Sequence, residues 1–300
     1  MEETDKQSDI KQQVLTGERA LFMAHGIHIQ NATFEDGESP LKHSHDVAVD
    51  GSSFRWKYPL WYSSGITLRN SSISETARAG IWYTNGVALE HVLIEAPKQF
   101  RRCMNVRLAD VHFSNAEETL WHCGDVSLQD VYAKGKYFAM NSGNVRATKL
   151  TLVGDYPFDG ARNVEIRDSR LLSKDAFWNS ENVRIYDSYI SGEYFAWNSK
   201  HVTLENCTVE SLQGFCYIED LVLRNCTLLN TSLAFEYSTV DADVVSKIDS
   251  IKNPSGGIIR TPEIGDVIME ADKVDVSKTK IICGGKEYTG KTCAGTCRCA

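Results

Sequence analysis

Lys98, Arg101 and Arg102 are followed, 19 residues after Lys98, by Glu117 and then Glu118. A basic side chain close to an acid that can bind a cation is what a lyase needs for proton abstraction, and these five residues are the nearest approach to it in the chain. Asp159 and Asp175 offer a second chemistry, because glycoside hydrolysis uses two carboxylates about 5–5.5 or 6.5–9.5 Å apart. His25 and His45, with His28, His43 and Asp46 close in sequence, could hold a divalent metal, although the His-Glu-x-x-His spacing is missing. Cys283, Cys293, Cys297 and Cys299 could bind zinc as thiolates, yet they lack the paired Cys-x2-Cys spacing of common zinc sites. No metal and no cofactor is expected. Whether any of these residues meet depends on the elements that carry them.

Those elements repeat. Asn163-Val164-Glu165-Ile166-Arg167-Asp168-Ser169 returns 19 residues later as Asn182-Val183-Arg184-Ile185-Tyr186-Asp187-Ser188. The same position runs through Ile27, Val47, Ile66, Val87, Val106, Val126, Val145, Val164, Val183, Val202, Leu221 and Val240, at intervals of 19 to 21. Such self-similarity marks a solenoid, in which each residue stacks on its counterpart one coil away. Two residues further on stand Ile29, Val49, Leu68 and their successors to Leu223; seven residues on stand Phe34, Phe54, Ile73 and their successors to Leu228. Both columns should face inward, and residues such as Arg184 and Tyr186 outward. Between the columns lie Asn31, Asn70, Asp110, Asp130, Asp168, Asp187, Asn206 and Asn225. Short polar side chains tolerate left-handed backbone, so this row reads as corner chemistry, and recurrence argues against an acid/base role for stacked Asp168 and Asp187.

A third short strand should follow in each coil, in blocks such as Lys57-Tyr58-Pro59-Leu60-Trp61-Tyr62-Ser63 and Glu193-Tyr194-Phe195-Ala196-Trp197-Asn198-Ser199. With the Trp and the terminal small column inward, Tyr62, Tyr83, Arg102, His122, Asn141, Asn179 and Asn198 form an outward row. Charges open these blocks at Glu38, Lys57, Arg78, Glu117, Lys136, Asp155, Lys174 and Glu193, with Lys98 displaced by one. They suit a structural ion ladder. They also suit a ligand strip, since Tyr58, Tyr137, Tyr156 and Tyr194 stand one position later, and rings, amides and charges together match the apolar faces and hydroxyls of sugars.

The pattern describes an all-β, single-stranded right-handed parallel β-helix of about a dozen coils of 19–21 residues, right-handed because parallel crossings take that hand. A left-handed hexapeptide helix lacks its six-residue period here, and the five-residue rhythm of a pentapeptide repeat fails in the third strand. The expected organisation is a polar tail at 1–16, the β-helix at 17–257, capping strands at 258–282 and a Cys-rich tail at 283–300. On this stacking Asp159 and Asp175 lie three columns apart on neighbouring coils, about 11 Å between backbones, and no acid pair is preset. His25 and His45 share a column. Cys103 stacks on Cys123 and Cys207 on Cys226, which reads as core packing by free thiols.

The third-strand blocks, together with Gly17-Glu18-Arg19-Ala20-Leu21-Phe22, Ala96-Pro97-Lys98-Gln99-Phe100-Arg101, Leu233-Ala234-Phe235-Glu236-Tyr237-Ser238 and Lys252-Asn253-Pro254-Ser255-Gly256-Gly257, resemble a bacterial family known as domain of unknown function 3737. The resemblance runs from about 17 to 257. It implies a single-stranded right-handed β-helix of the pectin-lyase-like type, and no activity, substrate or catalytic residue.

A formal charge of −8 argues against nucleic acid, whose backbone calls for clustered Lys and Arg. The polar start and the absence of a membrane-length apolar run point to a cytoplasmic protein. The expected function is recognition of an extended oligo- or polysaccharide along the third-strand face. A carbohydrate-active hydrolase or lyase, and a noncatalytic scaffold or protein-interaction rod, are the alternatives. Oligomeric state is not legible.

Overall fold

The computed structural model describes residues 8–288. Contacts gather the chain into two compact units, Met1–Arg146 and Ala147–Ala300, and each is a right-handed parallel β-helix. In the first, Ile27 pairs with Val47, Val47 with Ile66, Ile66 with Val87, Val87 with Val106, and Val106 with Val126. In the second the same column continues through Val164, Val183, Val202, Leu221 and Val240. Parallel pairing then runs past Val240 to Gly257 and from Gly257 to Thr279, before Lys286–Tyr288 turns back antiparallel on Thr279–Cys283. At Gly257, with φ +105°, a Cβ would come within 2.0 Å of the Val240 carbonyl oxygen, so only glycine fits.

Both inward columns are buried, from Ile29 and Phe34 to Leu223 and Leu228. The polar row between them turns the chain as expected. Its Asn and Asp residues all have φ between 48° and 54°, a conformation that costs other side chains about 1–2 kcal/mol. Their side chains also bond along the stack: Asn206 Nδ2 donates to Asp187 Oδ1 at 3.1 Å and Asn225 Nδ2 to Asn206 Oδ1 at 2.8 Å. A second Asx corner precedes the reference column, at Asp46, Asn105 and Asp125 in one unit and Asn163 and Asn182 in the other.

The third segment departs from expectation in two ways. Leu60–Trp61 and Ile81–Trp82 form short paired strands, but most coils have only two strands and pass the third face in turns. There positive φ recurs at every second residue, as at Glu118, Leu120 and His122, or Asp175, Phe177 and Asn179. Period-two alternation is therefore lost, and two consecutive residues point inward. Thr119 with Leu120, Phe138 with Ala139, Ala176 with Phe177, and Phe195 with Ala196 are all buried. In the last three pairs the large and small members exchange order while their joint volume is kept, which is what a close-packed interior demands.

The Trp column is the second correction. Trp61, Trp82, Trp121, Trp178 and Trp197 lie on the outside, half-buried, while the apolar residue before each enters the core. Each indole Nε1 donates to a backbone carbonyl in the next coil: Ala79, Lys98, Tyr137, Tyr194 and Gln213, at 2.6, 2.9, 2.7, 3.2 and 2.8 Å. A core position would leave that donor unsatisfied, whereas the outer wall offers a turn carbonyl to every ring.

Candidate binding face

On the outer wall of the first unit two ladders run side by side. The half-buried one stacks Trp61 on Trp82 at 5.1 Å, then places the Arg101 guanidinium 4.7 Å from the Trp82 ring and 4.6 Å from the Trp121 ring. The exposed one stacks His43 on Tyr62 at 5.3 Å and Tyr62 on Tyr83 at 4.7 Å. Arg102, His122 and Asn141 continue it, all exposed. From Tyr62 to Asn141 every member has φ between 52° and 56°, so the row marks a left-handed corner, and His and Asn accept that backbone more readily than most residues. His43 and Tyr83 cover the two faces of Tyr62, which therefore presents its edge and hydroxyl, while Tyr62 covers one face of Tyr83.

In the second unit the same column holds Asn179 and Asn198. Asn198 Nδ2 donates to Asn179 Oδ1 at 2.7 Å, and Asn179 Nδ2 to Asp159 Oδ1 at 3.0 Å. Tyr58, Tyr137, Tyr156 and Tyr194 are half-buried, packed against Trp61, Trp121, Trp178 and Trp197 at 4.7, 6.3, 5.9 and 5.2 Å. These contacts are tilted or edge-to-face rather than stacked.

Apart from Arg102, the groups considered for lyase chemistry are held by structural partners. Lys98 Nζ and Arg101 Nη2 share one oxygen, Glu118 Oε2, at 3.3 and 3.0 Å. Glu117 Oε2 accepts from the Lys136 backbone N–H at 3.1 Å. Lys57 meets Glu38 and Lys174 meets Glu193, each at 3.1 Å, which are rungs of the expected ion ladder. Asp175 is only 2 % exposed. Burial pushes its carboxyl above the ordinary range, against the opposing pull of Lys174 and of the Tyr156 hydroxyl that bonds to it. Asp159 and Asp175 therefore face different surroundings, one at the surface beside Asn179 and the other enclosed.

His25 and His45 stack as the shared column implied, with ring centroids 5.1 Å apart, and His45 Nδ1 lies 3.0 Å from Asp46 Oδ2. His43 turns to Tyr62, and His28 stands 3.9 Å from Asp9. Among the described residues no three His, Cys, Asp or Glu side chains converge as a metal cage. Cys283 is buried in Thr279–Cys283, while Cys293, Cys297 and Cys299 lie outside the described residues. Cys103, Cys123, Cys207 and Cys226 are free and buried. Desolvation raises the Cys123 thiol far above its usual range and pushes Cys207 up to about 12. Asp168 and Asp187 border an open depression in the second unit with Arg170, Tyr189 and Asn206, at left-handed corners as expected.

Sequence reasoning missed two features. One is Arg101 clamped between indoles. The other is the pair Gln99 and Thr119, fully buried on adjacent coils, with Gln99 Oε1 and Thr119 Oγ1 lacking partners. Each interrupts a column that elsewhere holds apolar or small residues, or in Arg101's case mostly Trp, and those breaks were the available signal.

Lys98, Arg101, Glu117 and Glu118 are thus engaged with one another or with the backbone on the wall of a parallel β-helix. The chain belongs to the family described as protein of unknown function (DUF3737), whose model matches residues 8–282. None of the curated proteins matches it in sequence. Among solved structures it is similar to the A-module of the Azotobacter vinelandii mannuronan C-5 epimerase AlgE4, at 9% identity and a TM-score of 0.32, covering 79% of this chain and 87% of that one. It is also similar to PfbA, a surface adhesin of Streptococcus pneumoniae, at 8% identity and a TM-score of 0.36, covering 93% and 82%. Likenesses so loose say nothing of what this chain binds. No helix among the described residues is long and apolar enough to cross a membrane.

Proposed function

We propose that this protein is a noncatalytic β-helix whose first unit binds an extended, hydroxyl-rich ligand of saccharide type along the row Tyr62, Tyr83, Arg102, His122 and Asn141. The observation that carries this reading is the row itself: exposed hydrogen-bonding groups on successive coils, repeating about every 4.8 Å. Because both faces of Tyr62 and one face of Tyr83 are taken up by stacking, the ligand is held mainly by hydroxyl, imidazole, amide and guanidinium groups. Several coils must serve each sugar, since one rung is shorter than a pyranose subsite.

A glycan array and an inventory of copurified ligands test the reading, with Tyr83→Phe and His122→Ala as variants. Tyr83→Phe keeps the 4.7 Å stack and removes only the hydroxyl. Both variants should weaken binding severalfold; Tyr83→Phe should leave stability within about 0.5 kcal/mol of the parent, and His122→Ala, at a left-handed corner, should cost no more than about 1–2 kcal/mol. Stability losses of several kcal/mol, with no glycan bound by the parent, would sink the reading. A second reading, a scaffold or protein-interaction wall, is favoured by the self-packing of both ladders, which leaves no groove between Tyr62 and Tyr83. It takes over in that event.

A further inference from the structure

The chain carries a formal charge of −8, yet one stretch of the proposed binding face runs against that sign. In the blocks that open at Arg78, Lys98 and Glu117, the basic Arg78, Lys98, Arg101 and Arg102 stand against Glu117 and Glu118, with Glu75 and Glu95 exposed in the turns before the first two. Glu118 gives a single oxygen to both Lys98 and Arg101, and Glu117 is engaged by a backbone N–H. Arg78 and Arg102 are exposed and have no acidic partner among the described residues. Arg101 Nε is buried and makes no hydrogen bond, and this guanidinium is fixed by the two indoles together with the Glu118 carboxylate. A positive locus fixed in place on a negative chain concentrates anions.

Resting on the binding reading above, we infer that the surface around Arg102 is a subsite for an oxyanion on the ligand, a carboxylate, sulfate or phosphate group. Arg102 is the direct contact. It projects from its corner between Tyr83 and His122 in the exposed row, and its planar fork matches two oxygens of such a group. Arg101 and Lys98 supply the surrounding positive field, because one shared carboxylate oxygen leaves their charge in excess.

The test uses the full chain and four probes at matched ionic strength: inorganic sulfate, inorganic phosphate, a uronate oligosaccharide, and an uncharged oligosaccharide of equal length. Binding is read by titration calorimetry. The chief variant is Arg102→Asn, because Asn occupies the same left-handed position at Asn141 and Asn179 and leaves the corner intact. Arg184→Ala, an exposed arginine of the second unit, is the control for diffuse charge. One or more oxyanion probes should bind more tightly than the uncharged oligosaccharide, and Arg102→Asn should weaken that binding about tenfold or more while Arg184→Ala leaves it unchanged. Equal weakening by both variants, or oxyanion binding indifferent to Arg102→Asn, overturns the inference. An uncharged glycan bound as tightly as the charged ones and lost in His122→Ala also overturns it, while the binding reading stands. No binding of any probe, with an empty glycan array, ends both.

Discussion

At the scale of the residue, Asp175 shows how position in a coil decides chemistry. It stands in a column that elsewhere holds Tyr137, Tyr156 and Tyr194, and the fold encloses it. Burial raises its folded-state pKa, so the folded protein holds the proton more tightly than the unfolded chain does. The resulting stability is present below the unfolded pKa and is lost as pH rises through the folded value. Ionisation near neutrality therefore costs stability, and Asp175→Asn, which suits the same left-handed backbone, should stabilise by about 1 kcal/mol or less. Thermal melts from about pH 7 down to about pH 4 should show that gain shrinking; a gain that grows on acidification contradicts the assignment. The thiols follow the same logic without a pH window in the useful range. Cys103, Cys123, Cys207 and Cys226 should resist alkylation until the chain is denatured, as intact-mass measurement would show, because burial blocks access to all four and suppresses the thiolate of Cys123, Cys207 and Cys226.

At the scale of the element, the inward and outward faces of one strand carry very different penalties. Ile185 is fully buried in Glu181–Tyr186, and Arg184 beside it is exposed. Ile185→Asp should cost upwards of about 4 kcal/mol, since it places an unpaired charge between stacked coils, while Arg184→Asp should be mild. Comparable losses of melting temperature would refute the facing of this strand. The third face carries its own test. Trp121→Phe keeps a ring against Arg101 but removes the 2.7 Å bond to the Tyr137 carbonyl, and about 1 kcal/mol should go with it in denaturant titrations. A core Trp, as first expected, would have lost several times more on truncation.

At the scale of the whole molecule, stability in a solenoid is close to a sum over coils and the contacts between neighbours. Removing residues 163–181, one complete 19-residue repeat of the second unit, brings Asn182 to the place of Asn163 and Val183 to that of Val164. Such a deletion should yield a soluble, cooperatively melting protein. Removing only 163–172 shifts every later residue to a wrong column, buries corner Asp and Asn residues in the core, and should abolish soluble expression. If both deletions behave alike, stacking in register is not what holds this unit together.

The sequence by itself determined the coil, its register and one of its corners. In a parallel stack a fixed interval converts directly into a column, so Val164, Val183 and Val202 could be paired from spacing alone, and Asp168, Asp187 and Asn206 announced left-handed turns by their type. The same spacing placed Tyr62, Tyr83, Arg102 and His122 in one outward row. Only the tertiary structure decided the phase of the third face. Leu120, Ala139 and Phe177 adopt positive φ with nothing in their side chains to signal it, because the closed coil imposes that backbone and propensity alone would oppose it. Once alternation failed there, the pattern could not tell which of two neighbouring residues entered the core. Packing volume and the need of each Trp N–H for a carbonyl settled that, and with it which edges of the wall remain open to a ligand.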